Sequence, residues 1–422
     1  LAPALQASRA NANEILKDEG RGSTSLRMGR FTRAIVVLEV AFSCALLVGA
    51  GLMIKSVVEV RKLNLGFESR DMLTLRIALF EAAYPRKQDR ARFWEQLLPR
   101  LSALPGVETV AATSFLPTAG SETERYAVEG RAYATPQDLP SANQDAVSAG
   151  YFHAFGSRIL AGRDFGRQDR EGSLPVVIVN QSFAAKVWPR QEPLGRRLRL
   201  GDGKDGKAPW RTVVGLVPDL QMGGIDPQAK PEGFYLPIAQ DCPVRVSVAL
   251  KAHSDPLALT PLVRGEVTAL DHDLPIYFVR SMEEVLAKSA FFFNLFGVLF
   301  SIFGVSALVL ASVGIYGIIA FSVHQRTQEI GVRMALGAQK RNVLRMILQQ
   351  GMTQLGLGLG IGLVFAFAVS RLLGQMLFRV QPSDPATFAA VCVVLATVAL
   401  FACLIPAQRA SRIDPLVAIR YD

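Results

Sequence analysis

The sequence predicts a multi-pass α-helical membrane protein: four spanning helices, with a large α+β extracytoplasmic domain between the first and second. Three observations lead there. Four apolar runs are each long enough, at ~1.5 Å per residue, to traverse most or all of a ~30 Å hydrocarbon core. A 236-residue polar stretch, 55–290, separates the first two and mixes strand with helix signals without a βαβ period. The net charge of +10 sits almost wholly in the short polar segments at the opposite ends of the runs.

The expected organisation follows in order. Residues 1–33 form a cytoplasmic segment and 34–54 the first span. Residues 55–290 form the outer domain, with stalk helices at both ends. The second span is 291–323, a cytoplasmic loop carrying a short helix is 324–342, and the third span is 343–373. A short external loop, 374–387, leads to the fourth span, 388–405, and a cytoplasmic tail, 406–422. Within the outer domain, Met72–Leu79, Val176–Val179, Leu198–Leu200, Thr212–Val217 and Val244–Leu250 read as strands. Arg86–Leu104 and Leu257–Leu270 read as helices, the first ended by Pro105 and Gly106. Ser281, followed by Glu284, is a capping box. No proline interrupts the chain from there to Phe321, so one helix of ~60 Å is expected, standing out of the bilayer as a rod.

Lys and Arg number six before residue 34, five from His324 to Arg345 and three after 405, but two, Arg371 and Arg379, at the turn from the third span to the fourth. The N-terminus, central loop and C-terminus are therefore expected inside the cell. Those three segments carry +3, +4 and +1, whereas the outer domain is close to neutral. The positive charge is an orientation signal for a lipid bilayer, and a nucleic-acid partner is not expected.

Some residues stand out within the spans. Glu39 is an acid inside the first, expected near the inner boundary and paired with Arg30 or Arg33. Gly356, Gly358, Gly360 and Gly362 form two overlapping small-xxx-small patterns in the third, where close helix packing is expected. In the loop before it, Thr327 can cap a helix that Gly337 ends, with Gln325, Glu329 and Arg333 off its apolar side.

Chemistry of an active site is not visible. Gly201–Ala208 nearly matches a phosphate-binding loop, but Ala208 stands where Ser or Thr would hold magnesium and Pro209 follows. The four histidines lack metal-ligand spacing, and the four cysteines are too few for a disulfide framework. No cofactor, metal or catalytic residue is expected. The chain begins at Leu1 rather than Met, and Leu1–Arg9 nearly repeats as Leu404–Arg412 after the last span. The expectation is a tandem duplication of which this is the second unit.

The segment Glu329–Ile330–Gly331–Val332–Arg333–Met334–Ala335–Leu336–Gly337–Ala338 resembles the loop signature of FtsX-like permeases of the MacB class. Gly162–Phe165, Val176–Asn180, Trp188–Pro189, Pro193–Gly195 and Val213–Gly215 resemble the MacB periplasmic core. The resemblance implies an FtsX-like permease domain over 291–415, in the inner membrane of a bacterium with the outer domain in the periplasm. It implies a separate ABC ATPase subunit as partner, contacted by Gln325, Arg326, Glu329, Ile330, Arg333 and Leu336. It also implies a second permease unit, from a tandem repeat or a homodimer, with a periplasmic adaptor and outer-membrane channel as further partners. ATP-driven motion would then be passed to the outer domain, for export or efflux. The alternative is a relay that controls a cell-wall hydrolase with nothing transported. No ATPase motif occurs in the sequence, so the chain is not expected to be an enzyme.

Overall fold

The computed structural model describes residues 23–62, 65–201, 208–225, 230–325, 332–333, 336 and 339–410; the side chains of 23–32, 136, 340 and 410 lie outside that description. The helices are α1 (Ser23–Arg61), α2 (Lys87–Ser102), α3 (Tyr151–Ala154), α4 (Gln181–Val187), α5 (Ile238–Asp241), α6 (Thr260–Leu270), α7 (Met282–Ser289), α8 (Phe291–Gln325), α9 (Lys340–Leu373) and α10 (Pro385–Ala410). The strands are β1 (Met72–Ala78), β2 (Val107–Thr113), β3 (Glu122–Val128), β4 (Ser141–Val147), β5 (Ala161–Gly162), β6 (Val176–Asn180), β7 (Arg197–Leu200), β8 (Trp210–Val217), β9 (Gly233–Pro237), β10 (Arg245–Ala252) and β11 (Tyr277–Ser281). Two compact units result, one from 1–59 with 293–422 and one from 60–292.

The first unit holds the four helices long and apolar enough to cross a membrane. α1 is its hub: 56% of its most apolar stretch is buried, against 22–28% for the other three. α8 reaches it through small residues. A Cβ at Gly297 would meet Val57 at 2.9 Å, and one at Gly304 would meet Ala50 at 3.3 Å. Ser43 Oγ donates to Ala307 O at 3.0 Å. These pairs place α8 antiparallel to α1, with small residues seven apart lining the seam. The outer end is pinned to α1 as well. Lys55 Nζ lies 2.9 Å from Asp384, Phe378 N donates to Ser56 Oγ at 2.9 Å, and Asp384 accepts the Thr387 N–H and hydroxyl at the start of α10.

The second unit is α+β. Its strands run in the order β11-β1-β10-β2-β4-β3-β7-β8-β6-β9, and β9 returns to pair with β4 in parallel. Six strands, β4-β3-β7-β8-β6-β9, thus close on themselves, which removes their edges. Tyr126, Val179, Leu198, Val213 and Phe234 fill this ring together with Phe183 and Trp188 of the α4 region. The other strands form an open sheet whose two faces carry separate cores: Phe93, Trp94, Leu97 and Val263 of α2 and α6 on one, Met72, Ala249, Met282 and Val285 on the other. β4 belongs to both parts, since Val147 also pairs with Thr113 of β2.

The rod expected from Ser281 to Phe321 is instead two helices. Ser281 does cap the first, its Oγ accepting the Glu284 N–H at 3.2 Å. α7 then stops at Ser289, and Ala290, at φ −87° and ψ −1°, departs from helical ψ before α8 starts. The cause is tertiary. Met282 and Val285 are buried on the open sheet, so sheet packing sets the direction of α7.

Asp145 sits on the shared strand β4, fully buried, in register with Tyr235 of β9, and its Oδ1 has no hydrogen-bond partner. Burial, then the charge of Glu122, pushes its carboxyl well above the usual range. An acid whose folded-state pKa is raised adds stability below its unfolded pKa, and that contribution is lost as pH rises through the folded value. Asp145→Asn is therefore expected to flatten the alkaline limb of the stability–pH curve and to change little at acid pH, as read by denaturation at pH 5 and pH 9.

Candidate functional site

The loop after the second span was the principal candidate. Gln325 is the last residue of α8; Arg326, Glu329 and Ile330 lie outside the described residues. Val332 and Arg333 are helical, and Leu336 N donates to Val332 O at 3.0 Å, so a helical turn is present where a short helix was expected. Arg333 is exposed and its Nη1 lies 3.4 Å from Met346 Sδ in α9. Leu336 is 82% exposed and Val332 44%. The described part of the segment thus exposes two apolar side chains, Val332 and Leu336, and one cationic side chain, Arg333.

Glu39 faces α8 and not Arg33, while the side chain of Arg30 lies outside the described residues. A Cβ at Gly314 would collide with the Glu39 carboxylate, so the acid lies in the room that glycine leaves. Among the described residues Glu39 makes no ion pair, and the expected bond to Arg33 is not formed. Helix geometry explains this. Residues six or nine apart are roughly 240° and 180° around an α-helix, so neither Arg33 nor Arg30 shares Glu39's face.

The four glycines of α9 divide by face. Gly358 would meet Val40 at 2.7 Å and the Val37 carbonyl at 3.1 Å; Gly362 would meet Cys44 at 2.8 Å and Ala41 backbone atoms at 3.0 Å. Gly356 and Gly360 are exposed and meet nothing within 4 Å. Four residues before Gly358, Gln354 is buried, and neither atom of its amide is hydrogen-bonded. Sequence reading places Gln354 among the polar residues of the third span without giving it a role, and it missed the Gly297–Gly304–Ala311 seam of α8, although the seven-residue spacing of small residues was a visible signal.

The motifs of the outer domain turn out to be scaffold. Arg163 clamps Asp169 with two hydrogen bonds of 2.6 and 2.8 Å. Asp164 accepts the N–H groups of Gly150 and Phe165. Gly162 (φ +77°) and Gly215 leave no room for a Cβ against neighbouring backbone. Asn180 Oδ1 accepts from Phe183 N and Gly233 N, while its Nδ2 donates to Pro231 O, tying β6, α4 and β9 together. No group of three or more metal-ligating side chains occurs among the described residues.

Comparison with known proteins gives two family matches, "MacB-like periplasmic core domain" over residues 34–263 and "FtsX-like permease C-terminal" over 301–415. Among curated relatives, the macrolide export ATP-binding/permease protein MacB of Mannheimia succiniciproducens is 25% identical over 67% of this chain and 44% of its own length. The probable syringafactin export ATP-binding/permease protein SyfD of Pseudomonas syringae is 25% identical over 67% of this chain and 42% of its own. The uncharacterized ABC transporter permease YvrN of Bacillus subtilis is 24% identical over 75% of this chain and 79% of its own. The chain thus spans less than half the length of the two ATP-binding/permease relatives.

Proposed function

Since the chain belongs to the permease family that joins a MacB-like periplasmic core domain to an FtsX-like permease domain, we propose that it is the permease of an ABC-type exporter in a bacterial inner membrane. ATP is hydrolysed on a separate subunit, which docks on the segment around Glu329 and Arg333. A second permease unit completes the assembly, and an adaptor and outer-membrane channel carry the cargo onward. Two of the relatives above are named for export.

The observation that supports this reading best is the α1–α8 seam. α8 ends at Gln325, where the docking segment begins, and its chain leads back directly to the outer domain through α7. Small residues of α8 bring it into close contact with α1, and in this relay one helix shears along the other when the docking segment is moved. Motion then reaches the outer domain through the chain itself.

The test replaces Glu329 and Arg333 with Ala in permease reconstituted with the ATPase that co-purifies with it. Permease-stimulated ATP hydrolysis is expected to fall about tenfold, the equivalent of ~1.4 kcal/mol of coupling, with the melting temperature unchanged. A stimulated rate equal to wild type would contradict docking at this segment.

A further inference from the structure

The outer domain carries a cluster of arginines that the relay does not use. Arg76 of β1 and Arg280 of β11 stack on one ring, with guanidinium carbons 5.6 and 5.4 Å from the centroid of Phe278. Arg245 of β10 pairs opposite Ala78, two residues along β1 from Arg76, and therefore shares its face of the sheet. None of the three forms an ion pair with Asp or Glu among the described residues. The Arg76 guanidinium is pulled below its ordinary range by burial and then by the charges of Arg280 and Arg245. Arg280 Nε is buried with no hydrogen-bond partner. Arg76 Nε donates only to the neutral Ser247 Oγ, at 3.3 Å, and Arg280 Nε to nothing, so the cluster lacks the natural counterpart of a guanidinium, an oxyanion.

The backbone beside it is shaped to match. Arg76 faces Tyr277 and Thr74 faces Arg280, so β11 takes three steps where β1 takes two. That bulge puts Phe278 at φ +51°, a conformation a bulky aromatic rarely adopts. The extra residue turns the Phe278 ring between the two guanidinium groups while leaving it 60% exposed, beside Tyr277 at 39%. Strain held at one residue that aims an aromatic into a charged cluster is the mark of a site.

We infer that Arg76, Arg245 and Arg280, with Phe278 and Tyr277 at the rim, bind an anionic amphiphile: a phosphate or carboxylate headgroup on the guanidinium groups and its hydrocarbon chain across the exposed rings. The inference stands apart from the export reading, because it concerns binding by the outer domain and needs no ATPase.

The test uses the full chain in phosphatidylcholine nanodiscs, with empty discs as the blank, and three soluble probes: hexyl phosphate, inorganic phosphate and hexylammonium, followed by calorimetry. Hexyl phosphate is expected to bind saturably, about tenfold tighter than inorganic phosphate, with hexylammonium silent. Arg245→Glu, at an exposed position, should weaken hexyl phosphate about tenfold or more. Arg76→Lys should keep part of the affinity, and Phe278→Ala should remove the advantage over inorganic phosphate. Equal affinity for Arg245→Glu and wild type, equal binding of hexylammonium, or no saturable binding of hexyl phosphate would overturn the assignment. Equal affinity for the two phosphates would overturn its amphiphile part.

Discussion

Gly362→Leu is expected to destabilise the membrane unit by about 1–3 kcal/mol, whereas Gly360→Leu, two residues away in the same helix, is expected to change it by less than ~0.5 kcal/mol. The difference lies in what each glycine faces. A Cβ at Gly362 would stand 2.8 Å from Cys44 Cβ and 3.0 Å from the Ala41 Cα and carbonyl oxygen. Two of those atoms are backbone of the hub helix and cannot swing aside, so α9 must move off α1. Once it moves, the cluster that includes Val40, Cys44, Leu355 and Ala366 loses contacts along the seam. Gly360 faces outward with open space around it, so a leucine there meets only lipid or detergent. Gly358→Leu should resemble Gly362→Leu, because its Cβ would reach Val40 at 2.7 Å. Thermal denaturation of the four purified proteins in one detergent, read by loss of the monodisperse peak, separates the two classes. Equal melting temperatures for Gly360→Leu and Gly362→Leu would mean that α9 does not pack on α1 through this face.

The same pair of positions shows how far the sequence can be read. That a run of alternating glycines packs closely was visible in α9 alone. Which of its two faces does so depends on Val37, Val40, Ala41 and Cys44 in another span, three hundred residues away. The spans themselves were legible because length and apolarity have one meaning in a bilayer. Much of the outer domain was legible only where strands are apolar. β6, with the sequence Val176–Val177–Ile178–Val179–Asn180, was visible; β3 and β4, which carry Glu122, Glu124, Asn143, Gln144 and Asp145, were not. The burial of β4 comes from closing a ring through the parallel β4–β9 pair, a long-range choice that no local alternation records. β11 was hidden by its own last residue, since Ser281 is read as a helix cap, which it also is. The break at Ala290 has no glycine or proline to announce it. Glu39's partner was misjudged because distance along the chain was weighed before angle around the helix.

Locking the seam has the second large expected effect. Ala50 and Gly304 face each other across α1 and α8, with a Cβ at Gly304 only 3.3 Å from that of Ala50. A cysteine pair there falls within a few tenths of an ångström of the ~3.5–4.5 Å that disulfides span. Cys44, Cys242, Cys392 and Cys403 are all free thiols, so they are first replaced by Ala or Ser to leave the new pair alone. Gly304→Cys sits at a close but yielding contact, against the side chains of Ala50 and Leu47. The reduced double variant is therefore expected to fold. If shear along this seam carries the work, the cross-linked permease should still bind its ATPase yet lose function.

The most direct measurement is ATP-dependent export by proteoliposomes carrying Ala50→Cys with Gly304→Cys, oxidised and then reduced in the same preparation. The relay account expects the oxidised sample to export at about one-tenth of the wild-type rate or less, with recovery on reduction. An oxidised sample, shown to be cross-linked, that exports at the wild-type rate would contradict it.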